Sequence, residues 1–373
     1  MNGNTPFRIW CVATWAALLL LVAPLVAMGQ AEQLGSRVQR YRVHVRPVLQ
    51  QYEVAGQSFT QWSTELEAVA PLTPQWQVRA RLAGAAVTGA PANVQGFSNV
   101  QLGATYVYED VPGSVLSTVA VDVPVGTKQW DLAELQALGR LSQGPYGFRV
   151  TAFGQGWGLT PRVAWAVPLG ARFVLGLGAS YRYLGPYTPF RQMAGTYDPG
   201  DVFTATLGGD LQLSRSDVLS VDGSFSTYAT DTANEQPYFS PGNQWTLALR
   251  YEHTFAFDRL AVVGFYRYRA QGELQRQDGS GVSALAPERV LPSHGQVHVA
   301  YRHRFQYGMY GRVLLRGAHY DASIVLPAQT YGHAQLRWTW RVSDRWGLAP
   351  HVGVSIGDVT GGEVGLRTTV FLP

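Results

Sequence analysis

Charged residues are scarce in this chain of 373 residues. Asp, Glu, Lys and Arg together make up 14% of the sequence, whereas about a quarter is usual for soluble domains. Aromatic residues reach 12%, and glycine occurs 41 times. So little charge would hardly cover a water-exposed surface. The composition therefore argues against the two or three soluble domains that the length alone would suggest.

Cysteine is nearly absent as well. Its one occurrence, Cys11, precedes an apolar run at residues 13–27, which is followed by Met28 and Gly29, and Arg8 lies upstream. About 15 residues are too few for a membrane-spanning helix, which needs roughly 20, but they fit a secretory signal. We expect residues 1–29 to be a signal peptide and residues 30–373 to form the mature domain, without disulfides or cysteine-based metal sites.

Basic runs and recognisable catalytic or cofactor motifs are also missing. Lys128 is the only lysine beside 28 arginines, and the arginines alternate with apolar residues. The net charge of +4 therefore gives no indication of nucleic-acid binding. The eight histidines show no metal-ligand spacing, and no serine stands in a G-x-S-x-G elbow. We predict no cofactor, no metal and no enzymatic activity, and retain an outer-membrane hydrolase as a minor alternative.

What the sequence has in abundance is alternation with a period of two. In the stretch 243–271, Trp245, Leu247 and Leu249 fall on one side and Arg250 on the other. Side chains two positions apart share a face of a β-strand. Each such segment is therefore a strand with one apolar face and one face that carries arginine.

Segments of this kind recur from Val38 to Leu372, and short connections between them alternate with long ones. This asymmetry is typical of bacterial outer-membrane barrels, whose periplasmic turns are short. The sequence predicts an all-β fold, a transmembrane antiparallel up-and-down β-barrel of sixteen strands, with fourteen as the alternative. The predicted strands are 38–50, 59–70, 75–88, 97–109, 114–125, 156–169, 172–184, 201–213, 217–229, 243–256, 259–270, 294–305, 309–320, 330–342, 345–356 and 362–372.

The arginine-bearing faces are expected to line the lumen, because an Arg that meets lipid at midplane costs roughly 2–4 kcal/mol. Cross-strand pairing with acids would make these arginines structural. Unpaired guanidiniums would instead favour anions in the pore. The predicted lumen-lining residues are Arg40, Arg42, Arg46, Glu65, Glu67, Arg79, Arg81, Arg162, Arg182, Arg250, Arg267, Arg302 and Arg337.

Two connections differ from simple loops. Residues 131–138 have leucines at helical spacing, an acidic first turn and Gly139 as a stop, which predicts a short amphipathic helix. This helix could lie over the mouth or fold inward as a constriction, and the inward position is slightly favoured. Residues 271–293 are polar and punctuated by Gly and Pro, which predicts a mobile loop.

Several stretches resemble one outer-membrane family, named for the meta-pathway of phenol degradation. They are GFSNVQLGATYVYED (96–110), VPVG (123–126), GQGWGLTPRVAWAVPLG (154–170) and LGASYRYLG (177–185). Asn99 stands where that family usually has Asp, and Val125 where it usually has Thr. The resemblance covers roughly residues 36–185 and implies a pore-like barrel that passes small hydrophobic or aromatic compounds.

The functional prediction is an outer-membrane channel or transporter for passive passage of small molecules, in the bacterial cell outer membrane. Its expected partners are outer-membrane lipid, a small-molecule permeant and the barrel-assembly machinery, with no nucleic acid. The alternative is a structural or surface-recognition barrel whose lumen is filled by Arg–acid networks and loops. The sequence does not distinguish monomer from trimer.

Overall fold

A computed structural model describes residues 41–89, 91–108, 111–142, 145, 147–191, 195–256, 258–277, 283–305, 308–324 and 326–372. The predicted signal peptide and Arg40 lie outside these ranges. The described part contains one helix, α1 (Leu132–Leu141), and 22 strands. The strands are β1 (Tyr41–Val54), β2 (Gln57–Pro71), β3 (Trp76–Gly89), β4 (Val94–Phe97), β5 (Val100–Tyr108), β6 (Ser114–Val123), β7 (Gly158–Pro168), β8 (Phe173–Leu184), β9 (Tyr197–Asp198), β10 (Val202–Gln212), β11 (Asp217–Tyr228), β12 (Asp231–Ala233), β13 (Gln236–Ser240), β14 (Gln244–Thr254), β15 (Asp258–Arg269), β16 (Gly272–Gln277), β17 (Ser283–Glu288), β18 (His294–Arg304), β19 (Met309–Tyr320), β20 (Gln329–Arg341), β21 (Trp346–Gly357) and β22 (Val359–Leu372).

Sixteen of the strands form one closed antiparallel barrel, as predicted, rather than fourteen. Each pairs with its neighbours in chain order, and β1 pairs with β22 to close the cylinder. The connections at one end are tight turns, such as residues 72–75 between β2 and β3, and we assign that end to the periplasm. Closure leaves no unpaired sheet edge, which is what a sheet needs in order to stand in lipid.

The predicted fourth strand, 97–109, is interrupted. β4 pairs with β3 alone among the described strands, whereas β5 pairs with both β3 and β6. Ser98 and Asn99 lie between β4 and β5, and the Ser98 N–H donates to the carbonyl of Ala83 at 2.8 Å. The break comes where another segment of chain enters the barrel, described below.

The outer face of the barrel is apolar. Large apolar side chains at every second strand position are exposed, among them Leu102, Leu159, Val163, Trp165, Leu207, Leu247, Leu249, Val297, Leu315, Val352, Val354 and Val364. On a closed barrel this band is the surface that contacts hydrocarbon, and it places the protein in the bacterial outer membrane. No helix within the described ranges is both long and apolar enough to span a bilayer.

A second, smaller sheet lies at the end opposite the tight turns. It consists of β17, β16, β13, β12 and β9, in that order, and so combines three of the long connections. We call it the minor sheet. The prediction of a mobile loop at 271–293 is wrong for the described part, because β16 and β17 form a hairpin there. The error came from the Gly- and Pro-rich composition, which hid two short strands that pairing stabilises.

The predicted helix at 131–138 exists and extends to Leu141, beyond the expected stop at Gly139. The Glu134 carboxylate accepts the N–H of Asp131 at 2.8 Å, so the acidic first turn helps to begin the helix. Leu132 is 63% exposed, whereas Ala137 and Leu141 are fully buried. The buried side of the helix is therefore displaced from the side that the leucine spacing indicated.

The hydrophobic core lies inside the barrel. One cluster joins Leu141 and Phe148 to inward side chains of β1, β2, β3, β19, β20 and β22, including Tyr52, Phe59 and Tyr331. Another joins Ala137, Val150 and Phe153 to Ala83, Ala85, Val94 and Trp130. Fully burying a leucine contributes about 1.5–3 kcal/mol, so these contacts hold α1 within the cylinder, at the inward position that the sequence slightly favoured.

Candidate functional site

The chain between β6 and β7, residues 124–157, folds into the barrel, and we call it the inward segment. It includes α1 and then runs along the inner faces of the first strands. Three side-chain carboxamides on the wall bind its backbone in the way that a neighbouring strand would. They belong to Gln50 on β1, Gln61 on β2 and Asn99 between β4 and β5.

Gln61 makes the most regular of these pairs. Its Nε2 donates to the carbonyl of Val150 at 2.7 Å, and its Oε1 accepts the N–H of the same residue at 3.0 Å. Gln50 accepts the Arg149 N–H at 2.8 Å and donates to the Gly147 carbonyl at 3.2 Å. Both glutamines are fully buried. A buried backbone group left unpaired costs about 1–3 kcal/mol, so these bonds fix the depth of the segment.

Asn99 and two glycines fix the point at which the inward segment leaves the barrel wall and returns to it. Asn99 Nδ2 donates to the Gly156 carbonyl at 2.9 Å, and its Oδ1 accepts the Gln155 N–H at 3.3 Å. Gly126 and Gly154 pack directly together, since a Cβ on Gly154 would lie 2.3 Å from the Gly126 carbonyl carbon. We call this contact the root of the segment. Asn99, Gly126 and Gly154 all belong to the stretches that carry the family resemblance.

Beneath the inward segment, on the periplasmic side, lies a cluster of arginines and acids on β1, β2 and β3. Glu65 lies 3.8 Å from Arg46 and 3.3 Å from Arg81, and Glu67 lies 3.1 Å from Arg79. These side chains line a cavity of about 440 Å³ together with Arg149 of the inward segment. The cluster holds more cations than anions, because three arginines share two carboxylates.

A second cavity, of about 350 Å³, lies beside the first. It is lined by Asp122, Arg162, Arg182 and residues of the inward segment, and it shares Arg81, Gln101 and Arg149 with the first cavity. Arg149 Nη2 lies 3.9 Å from the buried Glu363 carboxylate, and Arg149 Nε has no hydrogen-bond partner among the residues that the structure describes. Arg149 therefore stands between the two cavities with part of its hydrogen-bonding capacity unused.

The remaining residues of the predicted set are dispersed around the wall. Arg42 lies near the periplasmic end of β1, opposite Val69 and Phe371. Arg250 pairs with Glu252, Arg267 stacks over the Phe265 ring and Arg302 over the Tyr310 ring. Arg337 donates to Gln335 at 3.2 Å. The structure thus brings together Arg46, Glu65, Glu67, Arg79, Arg81, Arg162 and Arg182 along the two cavities, and leaves the others apart from them.

Sequence reasoning missed Arg149, Gln50, Gln61 and Glu363. Arg149 lies in a loop without alternation, and nothing in the sequence shows that the loop turns inward beyond α1. The glutamines look like ordinary polar positions of alternating strands. Glu363 has the same parity as Arg367 on β22, so extending the face assignment to that strand would have found it. Among the described residues, no group of His, Cys, Asp and Glu could hold a metal ion.

The fold and the site define an outer-membrane β-barrel protein with an inward segment across its lumen. No family model matches the chain, and no curated protein matches it, so the resemblance to the phenol meta-pathway family stays a prediction. Among solved structures, CdiB from Acinetobacter baumannii is 7% identical, with 88% of this chain and 60% of that one covered and a TM-score of 0.51.

Two further structures are similar over most of their length. OccK5 (OpdH) from Pseudomonas aeruginosa is 10% identical, with 90% of this chain and 98% of that one covered and a TM-score of 0.49. An outer membrane channel from Pseudomonas putida F1 is 11% identical, with coverages of 92% and 98% and a TM-score of 0.40. At such identities a likeness concerns the fold alone.

Proposed function

We propose that this protein is a passive outer-membrane channel for small anions. The observation that carries the proposal is the pair of adjoining cavities inside the barrel, which share Arg81, Gln101 and Arg149. We infer that these cavities form a polar path, lined by guanidiniums, beside the inward segment. No cofactor or energy-coupling motif is visible in the sequence.

The charge of the path favours anions for an electrostatic reason. Arg149, Arg162 and Arg182 outnumber the two acids near them, Asp122 and Glu363. Inside a narrow lumen with low-dielectric walls, such charges are screened less than on an open surface. Anions would therefore be enriched in the path and cations depleted.

Membership in the phenol meta-pathway family is part of the same proposal. Its support is that Asn99, Gly126 and Gly154, from three separate resembling stretches, meet at the root. The hydrophobic permeants which that family implies fit this lining less well than anions do. Aromatic carboxylates would combine both properties, and we favour them over neutral hydrocarbons.

A second candidate is a filled scaffold that conducts nothing, and the two buried clusters inside the barrel favour it. Liposome swelling separates the two functions. Swelling that depends on solute size supports a channel, and its absence with folded, inserted protein supports the scaffold. A hydrolase has no comparable observation in its favour among the described residues.

The test of anion preference is the reversal potential of the purified protein in a planar bilayer under a KCl gradient. We expect an anion-selective sign, and we expect Arg149→Gln to reduce the anion-to-cation permeability ratio several-fold. Arg345→Gln is the control, because Arg345 is exposed in a periplasmic turn and should leave the ratio unchanged. A cation-selective wild type would overturn the proposal.

A further inference from the structure

One constellation occurs twice on the outer surface of the barrel. The sequence Tyr-x-His-x-Phe stands at residues 251–255, at the end of β14, and again at residues 301–305, at the end of β18. In both copies the Phe ring packs edge-on against the imidazole, with centroids 4.3 Å and 4.5 Å apart. Both copies lie on the lipid-facing side, with the exposed Leu249 and Phe255 in the first and Val299 and Phe305 in the second.

Each copy meets an aspartate on the neighbouring strand. Asp217, the first residue of β11, accepts the Tyr251 hydroxyl at 2.6 Å and His253 Nδ1 at 2.7 Å. Asp258, the first residue of β15, accepts the Tyr301 hydroxyl at 2.5 Å and His303 Nδ1 at 2.6 Å. We call these groups the first and second histidine clusters.

Their place on the barrel limits what they can contact. Both aspartates directly follow tight periplasmic turns, so the clusters stand where the apolar band ends and the headgroups of the periplasmic leaflet begin. The histidine side chains are 28% and 42% exposed, respectively. Arg215, two residues before Asp217 in the turn that precedes β11, is exposed.

The chemistry of the clusters leaves one imidazole nitrogen available. The aspartate takes Nδ1–H, and among the residues that the structure describes, neither Nε2 has a hydrogen-bond partner. In the imidazolium form both ring nitrogens donate. Nδ1–H can then stay on the carboxylate while Nε2–H reaches an oxygen of an anionic group in the interface.

We propose that each histidine cluster binds the phosphodiester of a phospholipid headgroup in the periplasmic leaflet. His253 and His303 donate from Nε2 to a phosphate oxygen, and Asp217 and Asp258 orient the rings. The Tyr hydroxyl and the Phe ring keep each imidazole in place. This inference depends on the membrane location and is independent of what the barrel transports.

Native mass spectrometry of the full chain in detergent tests the inference, with dioleoylphosphatidylethanolamine as the probe and dioleoylglycerol as its phosphate-free counterpart. The variant is the double substitution His253→Asn and His303→Asn. Asn offers an N–H donor at the position of Nδ1, so the bond to aspartate can persist while Nε2 is removed. We expect about tenfold weaker phospholipid binding, the effect of losing one hydrogen bond to a charged group, and little binding of dioleoylglycerol.

The matched control is His319→Asn. His319 is an exposed histidine at the opposite end of the barrel, where its Nδ1 bonds the Thr330 hydroxyl at 2.7 Å, and its loss should leave phospholipid binding unchanged. A gel-mobility assay of unheated samples establishes that each variant is folded. Equal phospholipid binding by wild type and double variant would overturn the inference and leave the clusters a purely structural role. Equal binding of both lipids by the wild type, or a dimer held by these residues without lipid, would overturn it as well.

Discussion

Two glycines of the inward segment differ in the space that a side chain would find at their positions. Gly154 lies at the root, where a Cβ would meet backbone atoms of Gly126 at 2.3–2.8 Å, whereas a Cβ on Gly139 would meet nothing within 4 Å. Gly139 lies inside α1, and glycine costs a helix interior about 0.5–1 kcal/mol relative to alanine. The same substitution should therefore have opposite effects at the two positions.

We expect Gly154→Ala to separate the two chains at the root, to lower the temperature of unfolding and to increase current noise in single-channel recordings. Gly139→Ala should raise the stability of the helix by about 0.5–1 kcal/mol without added noise. Thermal unfolding and bilayer recordings of both variants measure the contrast. Similar behaviour of Gly154→Ala and wild type would mean that the root is not the closely packed contact described above.

At the scale of elements, the minor sheet depends on a buried carboxyl group. Asp231 on β12 accepts the Gly200 N–H at 2.8 Å and the Tyr197 hydroxyl. Burial raises the pKa of Asp231 above its ordinary value, and the hydrogen bonds from Tyr197 and Gly200 offset only part of this effect. Because the pKa is higher in the folded sheet, protonation of Asp231 favours folding.

The stabilisation from Asp231 should be complete below the ordinary Asp pKa of about 3.9 and should be lost as the pH rises through the higher folded value. Hydrogen exchange of β9 and β12, corrected for the intrinsic rate, should show greater protection at low pH. Asp231→Asn should remove most of this dependence. Glu273→Gln, at an exposed position of β16 in the same sheet, should retain it, and a pH-independent wild type would contradict the assignment.

Within the inward segment, α1 packs against both buried clusters inside the barrel. Deleting residues 128–142 removes the buried Ala137 and Leu141 while the root and the bonds to Gln50 and Gln61 can persist. We expect a higher single-channel conductance. Deleting 273–287, the β16–β17 hairpin of the minor sheet, is the control and should have little effect. An unchanged conductance after the first deletion would mean that α1 lies outside the permeation path.

At the scale of the whole molecule, the barrel could be predicted from the sequence because each strand has one face in contact with lipid and the other turned to the lumen. Leu247 and Arg250 cannot exchange faces without moving an arginine into lipid, so alternation fixes both the strands and their orientation. The sixteen predicted strands agree with the observed ones to within a few residues, except where Ser98 and Asn99 interrupt the fourth.

The interior could be predicted only in part, because its contacts carry no periodic signal. Gln61 binds Val150 across 89 positions of sequence, and a single glutamine among alternating polar residues does not indicate such a partner. Short strands such as Tyr197–Asp198 are too brief to show alternation. Tyr-x-His-x-Phe stands twice in the sequence, but the sequence does not show that Asp217 and Asp258 on the neighbouring strands face these histidines.

The bonds of the inward segment have a consequence for biogenesis. Val150 and Arg149 emerge between β6 and β7, yet Arg149 also faces Glu363 on β22, the last strand to be synthesised. A growing sheet that lacks β22 offers the Arg149 guanidinium no Glu363 carboxylate and lacks Val359 from the apolar cluster around Leu141. Closure of the barrel and packing of the inward segment are therefore one late, concerted step. A chain stalled before that step would expose both the inner faces of its strands and the inward segment to degradation.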